Sequence, residues 1–357
     1  MNLASQKTGD KIRMKNRTKP RRAYWLRTRY RAISTCLCLV YLGTILTGCE
    51  APLDLSGVND QLAQPTQRSD LFQAAARHRD TVIAVGGMGT IVQSLDGGGN
   101  WQRTTLPGKP FLVDVTVCPD GRFHAIDNVD GIWSLQGDGR WARQALPAIT
   151  EPQAMTCDTA NVIWVVGGFS MIAHSADAGA SWETWSLDED IYLTTIQFVD
   201  QHHGIVSGEF GTVLLSADSG VTWNRADDLP DSFYPQSTYF ISPAKGWVVG
   251  LNGTIWKTDN GGHSWQRTPS GINTPLYGIT GFGNTLVAVG DNTMILYHRV
   301  GDAAWIPIND ATKSRTYLRA VAGLGDGRFI AAGGGGALFT ITIPDGGALA
   351  ALETLDE

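Results

Sequence analysis

Glutamate is scarce in this chain. Between residues 51 and 352 there are only four: Glu151, Glu183, Glu189 and Glu209. A retaining glycoside hydrolase needs two carboxyl groups about 5 Å apart, and the sequence nominates no such pair. Cysteine is also sparse. The five are Cys36, Cys38, Cys49, Cys118 and Cys157; no Cys-x-x-Cys or paired-histidine spacing of a zinc site occurs. His202 and His203 are adjacent, so on a strand they would point to opposite faces; they read as turn residues. No metal and no cofactor is expected. Acid is nearly absent from the head. Residues 1–48 hold eleven Lys or Arg against Asp10 alone, a charge of +10 that leaves −16 on the rest. An acidic body repels nucleic-acid phosphates, which argues against that class of partner. Sustained helical periodicity is missing from the body, which argues against an α-helical domain.

The one long apolar run is AISTCLCLVYLGTILTG, residues 32–48. It follows the basic head, as a targeting segment does. It ends in Leu46-Thr47-Gly48-Cys49, which resembles a bacterial lipobox. That resemblance implies a signal peptide over 1–48, acylation of Cys49, and a lipidated tether over 49–67. A retained inner-membrane signal anchor is the alternative, since about 17 apolar residues nearly span a bilayer. Either way the body is exported and held at a membrane, facing the periplasm. Glu50 rather than Asp after the cysteine favours the outer membrane by the habit of lipoproteins. Cys118 and Cys157 then sit in an oxidising compartment. They fall at similar points of consecutive repeats, so a bridge and two separate thiols both remain open.

The rest of the chain repeats. Tryptophans end six octets: SLDGGGNW, SLQGDGRW, SADAGASW, SADSGVTW, TDNGGHSW and HRVGDAAW. Trp101, Trp141, Trp182, Trp223, Trp265 and Trp305 are 40 to 42 residues apart. A fixed period of this size marks a repeat architecture. Before each octet lies an apolar run, a glycine turn and a second apolar run, as in IAVGGMGTIVQS and IVSGEFGTVLLS; a seventh copy is IAAGGGGALFTI. Each pair reads as a hairpin of β-branched strands. One further strand precedes it, as in LTTIQFV (193–199), and one follows the tryptophan, as in WNRADDL (223–229). Four strands in about 41 residues, seven times, predict an all-β fold: a seven-bladed β-propeller of four-stranded antiparallel blades. The expected blades are 68–107, 110–147, 150–188, 191–230, 233–271, 274–310 and 314–353, with a tail at 354–357. The last blade is closed by ALAALETL or, alternatively, by the N-terminal APLDLSGV.

Within the octet, the hydroxyl, acid, glycine and indole recur at fixed offsets. The complete copies are Ser94, Asp96, Gly98, Trp101; Ser175, Asp177, Gly179, Trp182; Ser216, Asp218, Gly220, Trp223; and Thr258, Asn260, Gly262, Trp265. An Asp or Asn here can accept backbone N–H groups that the turn leaves unpaired. The hydroxyl supports the same loop, glycine allows a backbone angle that other residues resist, and the indole fills space between blades. In the second copy Gln136 keeps a carbonyl on a longer arm; in the sixth, Val300 keeps none. The role is architectural.

This octet resembles the Asp-box of sialidases and other propellers. Joined to VGGMGTIVQSLDGGGNW and LFQAAARHRDTVIAVG, it looks closer to the photosystem II stability/assembly factor family over residues 68–343. That resemblance implies a non-enzymatic propeller that holds a protein segment or membrane-complex subunit during assembly. Two alternatives stand: a sialidase-type glycoside hydrolase, and a permanent accessory subunit of an envelope transporter. The sialidase reading lacks an Arg-Ile-Pro type motif. For a binding face, the inner strands of several blades begin with aromatic–aliphatic pairs: Leu71-Phe72, Phe111-Leu112, Tyr192-Leu193, Leu276-Tyr277 and Tyr317-Leu318. These form either an aromatic ring at one mouth or core packing between blades. Lys313, Arg315 and Arg319, with Lys245 and Trp247, are the polar and cationic candidates nearby. The binding-face candidates are therefore Tyr192, Tyr277, Arg315, Tyr317 and Arg319.

Overall fold

The computed structural model describes residues 56–146, 149–308, 315–343 and 351–354. Among the described residues a short helix, α1 (Ser56–Ala63), comes first, and 28 strands follow in seven sheets of four. Blade one is β1 (Phe72–His78), β2 (Thr81–Gly86), β3 (Thr90–Ser94) and β4 (Gln102–Thr105). Blade two runs β5 (Leu112–Val117), β6 (Phe123–Asp127), β7 (Gly131–Leu135), β8 (Trp141–Ala145); blade three, β9 (Ala154–Cys157), β10 (Ile163–Val166), β11 (Met171–Ser175), β12 (Glu183–Ser186). Blade four is β13 (Leu193–Phe198), β14 (Gly204–Gly208), β15 (Val213–Ser216), β16 (Asn224–Arg225); blade five, β17 (Pro235–Phe240), β18 (Gly246–Gly250), β19 (Ile255–Thr258), β20 (Gln266–Thr268). Blade six is β21 (Leu276–Phe282), β22 (Thr285–Gly290), β23 (Ile295–Arg299), β24 (Ile306–Pro307); blade seven, β25 (Leu318–Gly325), β26 (Arg328–Gly333), β27 (Leu338–Thr342), β28 (Ala351–Thr354).

Every sheet is an antiparallel meander in chain order. The first strands of neighbouring blades contact one another all the way round, β25 against β1 included, so they line the axis. The fourth strand is outermost, and it is shorter than the sequence suggests: β16 and β24 are two residues each. An outer strand has one pairing partner and little to bury, so it ends as soon as the ladder bonds stop gaining. Blade seven is closed by its own β28, paired with β27. The N-terminal alternative fails, because residues from Ser56 onward form α1 rather than a strand. SGVNDQLA has one β-branched residue and ends in good helix formers, which suits that outcome.

The core is divided into seven seams. Each buried apolar cluster joins two adjacent blades, and the one between blades seven and one (Phe72, Val82, Ala84, Ile330, Leu338) closes the ring. Strand β2 shows why the second strands read as unbroken apolar runs. Val82 and Ala84 pack toward blade seven, while Ile83 and Val85 pack toward blade two. A strand covered on both faces gains from apolar residues at every position, so alternation disappears. Among the described residues, no helix is long and apolar enough to cross a membrane.

Candidate protein-binding face

The octets lie on one face, between third and fourth strands. In blade one, Ser94 Oγ donates to Asp96 Oδ1 (2.7 Å) and accepts from Gly98 N (2.8 Å). Asp96 Oδ1 accepts from Gly99 N (3.0 Å) and Asn100 N (2.9 Å). The same net recurs at Ser175–Asp177, Ser216–Asp218 and Thr258–Asn260. The hydroxyls are buried. The glycines sit at positive φ, from 82° at Gly220 to 97° at Gly98. The donors hold the carboxylates below their usual range: Ser181 and its backbone lower Asp177 to about 2, and Asn100 leads the same effect at Asp96. Trp101 and Trp182 donate from Nε1 to Gly98 O and Gly179 O.

The two decayed octets use other means. Gln136 does not serve as the acceptor its carbonyl suggested. Its amide donates to Ser134 O, and the turn is closed by backbone bonds from Gln136 N to Arg140 O and from Gly139 N to Gln136 O. In blade six, His298 stacks on Trp305 with ring centroids 5.0 Å apart, and its Nδ1 lies 3.1 Å from Ala304 O. Two further turn acids were not legible. Asp127 Oδ1 accepts from Val129, Asp130 and Gly131, and Oδ2 from Trp133 Nε1. Asp158 binds Ala160 N, Val162 N and Trp164 Nε1. The dipeptides Asp-Asn and Asp-Thr that start these turns were the available signal. Cys118 and Cys157 are bridged, stapling the first strands of blades two and three.

The other face carries the mouth that the binding-face residues were expected to surround. Its architecture comes from a repeated irregularity. In six blades the ladder between first and second strands shifts register after one residue, leaving a bulge at Gln73, Val113, Thr194, Gln236, Tyr277 or Arg319. A bulge re-aims a side chain and bends the strand. Its counterpart is the glycine that ends most second strands. A Cβ on Gly86, Gly290 or Gly333 would lie 2.2, 2.0 or 1.8 Å from the carbonyl oxygen of Leu71, Pro275 or Tyr317. The recurring Val-Gly is thus a close-approach requirement, and it was the sequence signal for the bulge.

The bulge separates the two roles offered for the aromatic–aliphatic pairs. The aliphatic partners, with Phe72, are fully buried in the seams: Phe72, Leu112, Leu193, Leu276 and Leu318. Leu71 and Phe111, just before Phe72 and Leu112, and Tyr234, just before Pro235 of blade five, stand at the rim, each just under two-fifths exposed. Tyr277 is not equivalent to Tyr192 and Tyr317, as the pairing by residue type implied. It occupies the bulge, one place after the buried leucine rather than one before it.

Arg319, in the bulge of blade seven, sets the electrostatics. Its charge acts on Tyr317 in its own blade, Tyr277 in blade six, Tyr234 in blade five and Asp114 in blade two. Arg319 stands in β25, one of the first strands that line the axis. Burial raises all three phenols, Glu209 and Asp291 add to the rise at Tyr234 and Tyr277, and Arg319 opposes it. Gln73 Nε2 reaches Tyr317 Oη at 3.3 Å. Asp114 is half-buried by surface, yet chain encloses it at the channel wall. Burial pushes it up to about 7, against bonds from Met155 N (2.7 Å) and Val115 N and the field of Arg319.

Tyr192 lies in a different setting. Its hydroxyl bonds Glu151, and its backbone N donates to Glu209 (3.0 Å). Arg315 is exposed on the segment entering β25. Lys245 belongs to the opposite face, in the turn after β17, where it pairs with Asp259 at 3.7 Å. Trp247 is 1% exposed and is core, not surface. Cys49 and Lys313 lie outside the described residues. The structure therefore groups Tyr277, Tyr317 and Arg319 with Tyr234 and Asp114, and sets Tyr192 apart with two glutamates.

Fold and turns together define a seven-bladed Asp-box β-propeller. In sequence the chain matches the family model described as photosynthesis system II assembly factor YCF48 over residues 180–347. The chain is accordingly similar to photosystem II assembly factors. It is 27% identical over 201 residues to the photosystem II assembly lipoprotein Ycf48 of a Picosynechococcus species, covering 53% of this chain and 58% of that one. It is 29% identical over 112 residues to the chloroplastic stability/assembly factor HCF136 of rice, covering 28% and 27%. The chain spans less than two thirds of the curated relatives it matches. Among solved structures, YCF48 bound to D1 peptide superposes with a TM-score of 0.65 at 15% identity, covering 78% of this chain and 93% of that one. Virginiamycin B lyase of Staphylococcus aureus, an enzyme, superposes at 0.67 with 16% identity, covering 77% and 96%. Fold alone therefore does not decide between binding and catalysis.

Proposed function

We propose that this chain is an exported, membrane-tethered assembly factor that holds a segment of a membrane-complex subunit at the Arg319 mouth and does no chemistry. The supporting observation is that Arg319, Tyr234, Tyr277 and Tyr317 stand at the mouth ends of the first strands of blades five, six and seven, where the charge of Arg319 acts on all three phenols. Aromatic rings offer area at low entropic cost, and a guanidinium matches a carboxylate in bidentate geometry. The relative's structure with a D1 peptide accords with a protein segment as ligand. The Cys49 motif and the relatives' lipoprotein names accord with a lipid anchor; a periplasmic position at the outer membrane rests on the signal-like head and on Glu50. The sialidase alternative needs arginines around a nucleophilic phenol. Tyr192 does bond a glutamate, Glu151, as a sialidase nucleophile does, but the charged groups that act on it are Glu151, Glu209 and Asp190, and no arginine is among them.

Capture of acidic peptides from membrane-complex subunits tests this. Arg319→Glu should weaken capture roughly tenfold or more while the circular-dichroism spectrum and melting midpoint stay near wild type. Unchanged capture by that variant would remove the mouth as the site. A high-salt wash of native membranes separates the remaining alternative: a transient assembly factor comes off, and a permanent transporter subunit stays with its complex.

A further inference from the structure

The mouth face carries a feature that segment capture does not use. Its second-to-third strand hairpins end in exposed apolar side chains in five consecutive blades: Met88, Val129, Phe169, Phe210 and Leu251. Phe169 and Phe210 are 55% and 61% exposed. Met88, Phe169 and Phe210 also occupy the left-handed backbone region, at φ 55–57°, where blades five and six place Asn252 and Asn292. Asparagine is the natural tenant of that conformation, and bulky residues are rare there. Three blades thus accept a poor turn residue that is also poorly soluble. The opposite face has apolar residues too, Leu95 and Val221 among them, but at unrelated turn positions.

The chain enters the propeller on this same face. Leu71 bridges Gly334 and Gly336 N donates to Asp70 O (3.1 Å), both in the hairpin turn after β26. Cys49 precedes Gln67 by eighteen residues; the eight of α1 span about 12 Å and the other ten at most about 35 Å. A tether leaving from the mouth face draws that face, not the Asp-box face, toward the bilayer. Met88, Val129, Phe169 and Phe210 take the same place in the repeated hairpin and Leu251 the place before it, with tyrosines on the rim. Separated apolar tips on one face with an aromatic rim suit a flat fluid surface, as at membrane interfaces. The body's net charge of −16 beyond residue 48 selects against anionic headgroups.

We infer that Met88, Phe169 and Phe210, with their neighbours in the ring, form a docking crown that rests on a zwitterionic lipid bilayer and turns the Arg319 mouth toward the membrane. The inference rests on the tether reading of Cys49. It would place the mouth where a segment emerging from a membrane complex arrives.

The test uses the full chain, processed and acylated in a bacterial host, in protein-free phosphatidylcholine vesicles. Single cysteines replace Phe169, Phe210 or, on the Asp-box face, Val221, each carrying an environment-sensitive fluorophore. The expected result is blue-shifted emission and quenching by nitroxide lipid at positions 169 and 210, none at 221, and weakening as anionic lipid is added. Flotation with the vesicles but equally wet labels at all three positions overturns the crown and spares the tether. Loss of flotation overturns both. A shift at 169 and 210 that appears only in native, protein-containing membranes also overturns the proposal, in favour of a protein partner.

Discussion

Gly98 and Gly220 hold the same place in their octets, with φ of 97° and 82°. Their surroundings differ. A Cβ on Gly98 would meet Leu324 at 3.6 Å, an ordinary contact, whereas on Gly220 it would lie 2.2 Å from the Trp164 ring. Gly98→Ala should therefore cost only the backbone penalty, about 1–2 kcal/mol. Gly220→Ala adds overpacking of about 1–3 kcal/mol against a tryptophan already wedged beside His174, Phe198 and Trp223. Urea midpoints of the two variants check this, and equal losses would show that the indole moves aside freely. The sequence displayed the glycine at both positions, but not the neighbour. Trp164 comes from the preceding blade, and no local pattern announces which side chain a fold will place over a turn.

At the scale of the single element, the Asp-box titrates as a unit. Its donors depress Asp177 from the ordinary 3.8 to about 2. A depressed carboxylate adds stability above its unfolded pKa, and that share is lost as pH falls through the folded value. The melting temperature should thus drop between about pH 4 and 2, and Asp177→Asn should flatten that drop while keeping the turn, as Asn260 does in blade five. A second element-scale device is the Cys118–Cys157 bridge, which spans 39 residues and ties two neighbouring blades. Replacing both cysteines by alanine should lower stability by about 2–4 kcal/mol, read from denaturant unfolding under non-reducing conditions. The octet and hairpin were plain in the sequence because turn chemistry is local. The bridge was left open because the approach of two strands in different blades is not local. Tyr277 was aligned with Tyr192 for the same reason: matching residue types could not reveal the bulge that offsets them.

Across the whole ring, the seams are unequal. Six clusters hold nine or ten buried apolar residues, but the cluster between blades four and five holds four, Val213, Leu229, Val248 and Trp256, with Ile205 and Phe240 buried apart from it. A cleft of about 540 Å³ opens there beside His203, Ala226, Pro243 and His263. Less apolar burial means a lower local opening energy. Amide exchange should be fastest along β15 and β16, ahead of the corresponding strands of blade one; uniform protection would contradict the ranking. The sequence by itself determined the number of blades, the strands in each and the turns that join them, because period, alternation and turn residues are short-range properties. It also set the charge and the single apolar run of the head. Only the tertiary structure decided which rim residues gather around Arg319, which indoles fill which seams and which face the chain enters. Those depend on seven segments meeting about one axis, and on bulges whose effect on direction exists only once the strands are paired.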